Sequence, residues 1–426
     1  MNPLKIVCRG SKLSLAQVEI FRKKLLNTFP NTSVEIIIKE TEGDLNQNQP
    51  LSEMEGRDFF TKDIQEYLIA GKADFAVHSM KDVSGENFFK DNSYAIIDRD
   101  DFRDAVIFNE DIVSKIELGE KIRLGTSSPR RIEMAIHFLN QAMPRVGDTR
   151  VKLEAVSIRG NVDTRLRKLD AKEYDGIVLA CAGLNRLLQT NAKAEIGSLL
   201  RNKKMMILPI MDCPPAPGQG AIVVETSKEN KRAKEILAVL NDSKLADAVS
   251  RERNLAHQYG SGCHQKFGVV HVRTKDVSFT YAAGNDRNET QFQKLVYASE
   301  SKEVPASELE DSFVYTEYAD TDASRRLPVA YIATTHLPQI KLLANRRVWV
   351  GHTTAWFTLA SHGVWVEGSS ENLGMEFISP TLESPLVNIE ASEISIFSDE
   401  MSAAHWKQSG FTVVTFSKSP TKGKHA

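Results

Sequence analysis

The sequence predicts an α/β protein: two similar lobes facing a cleft, a small α+β third domain, and an extra C-terminal α/β module. Three observations carry this expectation. Short β-branched runs alternate with amphipathic helices from the first residues, and the same rhythm restarts after the acidic stretch DRDDFRD. A Pro- and Gly-rich segment, MMILPIMDCPPAPGQGAIVVE, then lies between two strand-like runs. Alternation of this kind means parallel strands joined by crossover helices, and the Pro/Gly segment reads as a return crossing.

In the first unit KIVCR, LSLAQVEIFRKKLLNTF, SVEIIIKE, DFFTKDIQEYLIAGK and ADFAVHS follow one another. Leu15, Val18, Phe21, Leu25 and Phe29 recur at intervals of three and four, which lays them on one core-facing stripe of the first helix. The second unit contains AVIF, IRLGT, a helix from SSPRR, KLEAVSI, a helix from NVDTRLRKL, and YDGIVLA. Two helices, NKRAKEILAVLN and KLADAVSRERNLAHQY, then precede the loop GSGCHQ and the strands GVVHV, VSFTYAAG and FQKLVYAS. A polar, acidic stretch suits a linker. Beyond it VAYIAT, a helix to Leu343, RRVWVG, TTAWFTLASHG and VWVEG form a further β-α-β-α-β run, continued by EISIFS, MSAAHWKQSG and FTVVTFS. The expected boundaries are 1–97 with 198–222 for lobe 1, 98–197 for lobe 2, 223–300 for the α+β domain, 301–328 for the linker and 329–426 for the C-terminal extension.

Composition narrows the function. The 54 basic and 56 acidic residues nearly cancel, which argues against nucleic acid or a membrane surface as partner, so any anion binding must be local. No run approaches the ~20 apolar residues of a membrane span, and the N-terminus MNPLKIVCRGSK lacks a secretory apolar core, so a cytoplasmic location is expected. The four cysteines, Cys8, Cys181, Cys213 and Cys263, are far apart and form no CxxC pair, so neither a disulfide framework nor a metal site is indicated.

Three strand-to-helix junctions carry more polar chemistry than packing requires: Cys8-Arg9-Gly10-Ser11, Gly125-Thr126-Ser127-Ser128-Pro129-Arg130-Arg131, and Ser157-Ile158-Arg159-Gly160-Asn161. Hydroxyl or amide side chains there can cap a helix, Pro129 suits a first helical turn, and the helix dipoles favour an anion at the same mouth. Arg165 and Arg167 follow on the third helix. Guanidinium groups at the carboxyl ends of strands match carboxylate or phosphate. Neither GxxxxGK[ST] nor GxGxxG is present, which favours a polycarboxylate over a nucleotide.

The segment ADFAVHSMKD runs from a strand into a polar end. His78 reads as a hydrogen-bonded structural histidine, whereas Asp82, beside Lys81, places one carboxylate in the cationic cleft. Such an acid can stabilise a developing cation and exchange protons with a leaving group. In GSGCHQ, Cys263 stands between residues that leave its sulfur accessible rather than packed in a core.

At these motifs the sequence resembles the porphobilinogen deaminase (hydroxymethylbilane synthase) family. ADFAVHSMKDV, GTSSPRR, SIRGNVDTRLRKL, YDGIVLACAGLNRL, PGQGAIVVE and GSGCHQ occur in that family's order from residue 4 to about 300. The resemblance implies a transferase of tetrapyrrole (heme) biosynthesis that condenses four porphobilinogens head to tail into hydroxymethylbilane, releasing ammonia, on a covalent dipyrromethane cofactor. It implies Cys263 as the thioether attachment point, with its glycines giving a growing chain room to move. Asp82 is implied as the catalytic aspartate, helping the amine to leave, stabilising the azafulvene-like cation and assisting deprotonation. Arg9, Ser11, Lys81, Arg130, Arg131, Arg159 and Arg165 match residues that bind acetate and propionate groups, Ser79, Thr126, Ser127 and Ser128 match hydrogen-bond donors, and Arg186 matches a further basic position. Each added pyrrole brings two carboxylates, and charge-assisted hydrogen bonds worth roughly 1.5–3 kcal/mol each suit an arginine-lined cleft.

The sequence departs from the family in its lid, where Glu53-Met54-Glu55-Gly56-Arg57-Asp58-Phe59-Phe60 replaces a more basic loop. Arg57 stands for the usual lysine and Phe60 completes the lid; Glu42, Glu53, Glu55 and Asp58 bear on substrate affinity. The C-terminal stretch from Val350-Gly351-His352-Thr353-Thr354 is similar to half of uroporphyrinogen-III synthase, which works between two halves, so a vestigial or structural appendage is expected, with an unrelated α/β extension packed on the third domain as the alternative. Two alternatives stand beside the deaminase: a bifunctional deaminase/synthase, and a non-catalytic anion-binding protein with two periplasmic-binding-protein-like lobes. A monomer with porphobilinogen as its only partner is expected.

Overall fold

The apolar runs pair into two five-stranded sheets built on one plan. A computed structural model describes residues 3–39, 62–83, 92–147, 151–260, 265–298, 314–316, 327–334 and 336–416. Packing divides the chain into unit 1 (Met1–Ile112, Ile122–His137, Leu153–Lys302) and unit 2 (Val113–Lys121, Phe138–Lys152, Glu303–Ala426).

In chain order the first lobe opens with β1 (Leu4–Arg9), α1 (Lys12–Thr28), β2 (Val34–Lys39), α2 (Lys62–Ile69), β3 (Phe75–Ser79) and β4 (Asn92–Arg99). The chain continues through β5 (Asp104–Phe108), α3 (Ile112–Glu117), β6 (Lys121–Gly125), α4 (Pro129–Ala142), β7 (Lys152–Val156), α5 (Val162–Asp170), β8 (Gly176–Ala180), α6 (Cys181–Leu188), α7 (Lys193–Leu200) and β9 (Lys204–Ile207). It then returns through β10 (Ala221–Ser227), α8 (Lys231–Leu240), α9 (Ser243–Tyr259), β11 (Lys266–Arg273), β12 (Ser278–Asn285) and β13 (Gln291–Tyr297).

The first sheet has the order β2-β1-β3-β10-β4 and the second β7-β6-β8-β5-β9. In the first, β1 runs parallel to β2 and β3, while β10 is antiparallel to β3 and β4. In the second, β6 is parallel to β8, and β5 is antiparallel to β8 and β9. Each sheet thus receives its antiparallel strand, β10 or β5, from a crossing out of the other lobe. The carboxyl ends of β1, β3, β7 and β8 are thereby brought to one cleft.

This pairing corrects two expected boundaries, before 198 and after 222. Strand β9, placed by sequence in lobe 1, pairs with β5 in the second sheet (Ala105 opposite Ile207). Strand β10, which the expected boundary after 222 divides, and helix α8, placed in the third domain, belong to lobe 1: Ile222, Val224, Ala233, Ile236, Leu237 and Leu240 share one buried cluster with Leu4, Ile6, Phe21 and Leu25. A short apolar run shows that it is buried but not against which sheet. The stripe expected for α1 is confirmed by the same cluster, with Leu15 and Phe29 at its edge.

The third domain keeps α9 on the antiparallel sheet β11-β12-β13. Leu255, Ala256, Phe267, Val269 and Ala282 form its core, and Tyr259 stacks on Phe292 at 3.8 Å. Asp242 caps α9 by accepting from the backbone N–H of Lys244 and Leu245. Gly260 ends the helix at φ 124°, where an added Cβ would lie 2.6 Å from Arg287 Nε. Only glycine suits that exit.

In unit 2, β14 (Val314–Thr316) pairs in parallel with β16 (His336–Pro338), so part of the expected linker is a strand. The helix expected to end at Leu343 is instead β16 and a single 3-10 turn, Ile340–Leu342, because Pro338 cannot donate within a helix. Strands β15 (Val329–Ile332), β17 (Arg347–Val350), β18 (Val366–Ser369), β19 (Ile394–Asp399) and β20 (Thr412–Phe416) form a sheet of order β18-β17-β15-β19-β20, parallel throughout. Its helices are α10 (Thr353–Ser361), α11 (Met375–Leu382) and α12 (Glu400–Gln408). Trp356 of α10 is fully buried, meets Phe138 edge-on at 5.1 Å and donates its indole N–H to the Ala142 carbonyl at 3.0 Å.

Candidate active site

Four strand ends supply the site. After β1, Arg9 is followed by Ser11, whose Oγ accepts from the Ser14 N–H at 3.2 Å and caps α1. After β3 the chain makes a 3-10 turn over Met80–Asp82, which brings Lys81 and Asp82 to the strand end, while Ser79 Oγ accepts from Gln17 Nε2 at 2.7 Å. From the second lobe come Arg131 on α4, the turn Arg159-Gly160-Asn161 before α5, Arg165 on α5, and Arg186 on α6. Gly160 has φ 110° and a Cβ there would meet Thr164 Cγ2 at 2.8 Å, so glycine is required for this turn.

These elements line a cavity of about 310 Å³. Its lining includes Arg9, Lys81, Arg131, Arg159, Arg165 and Arg186, with Asp82 the only acid among the described lining residues. Leu13, Val77, Leu179, Ala180, Ala182 and Gly183 give it an apolar floor. The cations crowd one another. Burial pushes Arg165 down to about 10, and Arg131 and Arg159 add to the fall. Burial also lowers Lys81; Asp82 opposes that change and Arg131 reinforces it. Arg159 is lowered by burial. Two of the cations are held in place by the protein. Arg186 Nη2 donates to Asp98 Oδ2 at 2.8 Å and to the Gly220 carbonyl at 2.6 Å, and Arg165 Nε donates to the Gly160 carbonyl at 2.8 Å.

A family model described as porphobilinogen deaminase, dipyromethane cofactor binding domain, matches residues 4–235. The porphobilinogen deaminase of Natranaerobius thermophilus is 33% identical over 308 residues, which is 71% of this chain and 92% of that protein. The chain belongs to the porphobilinogen deaminase family. The Fusobacterium nucleatum porphobilinogen deaminase is 33% identical over 332 residues, 77% of this chain and 95% of its own length. Among solved structures, YhfZ of Shigella flexneri is 16% identical with a TM-score of 0.28, covering 61% of this chain and 98% of its own, a likeness too slight to bear on chemistry.

The cofactor of porphobilinogen deaminases fits the residues present. Acetate and propionate groups need cations, and three cavity cations, Lys81, Arg159 and Arg165, are held below their ordinary pKa by burial, in Lys81 and Arg165 also by like-charged neighbours. Bound carboxylates relieve that crowding. The apolar lining residues suit the faces of pyrrole rings.

Nine of the expected site residues meet at the cavity: Arg9, Ser11, Ser79, Lys81, Asp82, Arg131, Arg159, Arg165 and Arg186. Thr126, Ser127, Ser128 and Arg130 are not among its lining. Thr126 is 1% exposed, and its Oγ1 accepts from the Ser128 N–H at 3.3 Å. Ser127 Oγ donates to the Ile158 carbonyl, accepts from the Ile158 N–H and pairs with Ser157 Oγ. Arg130 donates to Asp104 Oδ2 and to the Pro214 carbonyl, both within the protein. Arg57, Phe60 and Cys263 lie outside the described residues. His78 is buried, 3.6 Å from Glu225, and lines the cavity wall as well. Sequence reasoning missed Gln17, which is 3% exposed and lines the cavity. A glutamine four residues before the core Phe21, on its stripe, was the available signal. No helix among the described residues is long and apolar enough to cross a membrane, and no group of three or more metal-ligating side chains occurs among them.

Proposed function

We propose that this chain condenses porphobilinogen head to tail, releasing ammonia, with Asp82 as the acid–base group and Cys263 as the anchor of the dipyrromethane. When bound, that group supplies the primer to which the first porphobilinogen is joined. One observation carries the reading: among the described lining residues a single carboxylate, Asp82, lies with six cations. Substrate carboxylates would be held by Arg9, Lys81, Arg131, Arg159, Arg165 and Arg186. Asp82 accepts the pyrrole N–H groups, offsets positive charge left as the amine departs, and takes up the proton released after coupling. The chain is taken to act as a monomer in the cytoplasm, and residues 329–426 as a structural appendage; formation of the type III rather than type I cyclised product by this protein alone would overturn that last assignment.

Two measurements test the central reading. The intact mass of the purified protein should include a dipyrromethane-sized adduct that disappears in Cys263→Ala; a wild-type mass without it refutes the enzyme and leaves an anion-binding protein. Asp82→Asn should retain the adduct and lose turnover by at least ~10²-fold, the ordinary scale of a positioned acid–base group. Undiminished turnover would remove Asp82 from the chemistry.

A further inference from the structure

Arg130 and Arg131 are neighbours in sequence, and both guanidinium groups end on the carboxylate of Asp104, which is 1% exposed at the start of β5. Arg131 Nη2 donates to Oδ1 at 2.7 Å and Nε to Oδ2 at 3.2 Å, while Nη1 donates to the Val178 carbonyl at 3.2 Å. A planar guanidinium gripped along one edge and at a further nitrogen cannot turn, so its remaining N–H groups have a fixed direction. Arg131 lines the cavity. The same carboxylate also takes hydrogen bonds from residues that belong to the crossings. Gln219 Nε2, on the return crossing, donates to Oδ1 at 2.9 Å and to the Phe102 carbonyl of the outward crossing at 2.7 Å. Arg130 links Oδ2 to the Pro214 carbonyl on the return crossing at 2.8 Å.

We propose that Asp104 is a positioning residue for substrate binding: it aims Arg131 into the cavity and, through Gln219 and Arg130, ties that aim to the two crossings between the lobes. Burial works to raise the Asp104 carboxyl, but Arg131 and Arg130 outweigh it and hold the group well below the usual carboxylate range. It therefore stays ionised, and two arginines set against one carboxylate leave a net positive charge at the wall. Asp104 also opposes the lowering of Lys81 by Arg131 and Arg130. A change at the crossings that moves Gln219 would move the carboxylate on which Arg131 rests. Asp104 makes no contact with substrate in this account; its effect passes through Arg131.

The inference rests on the proposed function, and the experiment separates the two. Holoenzyme carrying Asp104→Asn is compared with wild type and with Gln219→Leu, which removes one donor to Oδ1 and leaves the Arg131 pair intact. An amide in place of the carboxylate turns N–H groups toward Arg131 and releases it. Asp104→Asn should raise KM for porphobilinogen by ~10-fold or more with kcat within ~3-fold, the pattern of lost ground-state binding. Gln219→Leu should raise KM in the same direction by a smaller factor, and Asp104→Glu should recover part of the loss. A merely structural role would instead lower the folded fraction and leave KM unchanged, which overturns the proposal. If Asp104→Asn does not fold, Gln219→Leu decides: an unchanged KM refutes the coupling. A wild-type holoenzyme that fails to consume porphobilinogen counts against the proposed function; crystal structures of the variants then decide the inference, and Arg131 still seated on the Val178 carbonyl in Asp104→Asn overturns it.

Discussion

Ser11 and Ser127 both carry a hydroxyl at a strand-to-helix junction, and their surroundings give them different work. Ser11 faces the cavity and caps α1. Ser127 has used its whole capacity: one proton donated to the Ile158 carbonyl at 2.8 Å, and two lone pairs facing the Ile158 N–H at 3.0 Å and Ser157 Oγ at 2.9 Å. It joins the turn before α4 to the turn that carries Arg159, and the Tyr174 hydroxyl secures the far side by donating to the Ser157 carbonyl. Ser127→Ala should therefore cost about 1–3 kcal/mol of stability, because a part-buried N–H and carbonyl lose their partner. Ser11→Ala should cost about 1 kcal/mol through the lost cap and should also raise KM. Urea melts and KM on both variants check this; Ser127→Ala with full stability and a raised KM would return Ser127 to the substrate. The motif GTSSPRR shows hydroxyls and arginines at a helix start. It does not show that Arg131 reaches the cavity while Arg130 reaches Pro214, since successive helical residues point about 100° apart and the sequence does not say which direction holds the cleft.

The third domain makes a prediction at the scale of its strands. His271 on β11 stands opposite Thr280 on β12, with Nδ1 2.9 Å from Thr280 Oγ1 and Nε2 3.4 Å from Ser278 Oγ, and its backbone N–H donates to Glu252 on α9. Burial pushes its pKa down to about 4; Arg251 and Arg273 act in the same direction and Asp247 opposes them. Between pH ~6.5 and that value the unfolded chain binds a proton that the folded chain does not. The stability from neutral His271 is thus complete above pH ~6.5 and is lost as pH falls toward about 4, with a ceiling on the order of 3 kcal/mol. Urea melts at neutral pH and near pH ~5 should show a steeper acid loss in wild type than in His271→Gln; equal slopes would refute this. The elements of this domain were legible because GVVHV and VSFTYAAG are β-branched and aromatic between turns. That α8 packs on lobe 1 was not, because NKRAKEILAVLN offers an apolar stripe without naming the surface that covers it.

For the whole molecule, charge balance hides a strongly sorted distribution: 54 basic residues face 56 acidic ones overall, yet the described lining of the cavity gathers six cations around one acid. The sequence requires anion binding to be local, and the three junctions locate half of the cavity cations, Arg9, Arg131 and Arg159. It cannot show what bridges the lobes outside the cavity, because those partners are more than 150 residues apart. Lys12, directly after the cap of α1 in lobe 1, lies 2.5 Å from Glu195 on α7 and 3.4 Å from Asp163 on α5, both in lobe 2. Arg167 pairs with the same two carboxylates. The hydrogen bond to Glu195 raises Lys12, and those from Lys12 and Arg167 lower Glu195, so each charge favours its partners. Through Lys12, Asp163 and Glu195 the cluster joins the first turns of α1, α5 and α7. Being exposed, it is screened by salt, whereas the buried pairs at Asp104 are not: the Debye length falls to ~3 Å at about 1 M ionic strength. Glu195→Gln should lower the melting temperature at low salt and should lose less on salt addition than wild type does, since the contribution that salt weakens is already gone. Thermal melts of both proteins across that range read the difference directly, and equal salt sensitivity would mean that these four charges do not hold the lobes together.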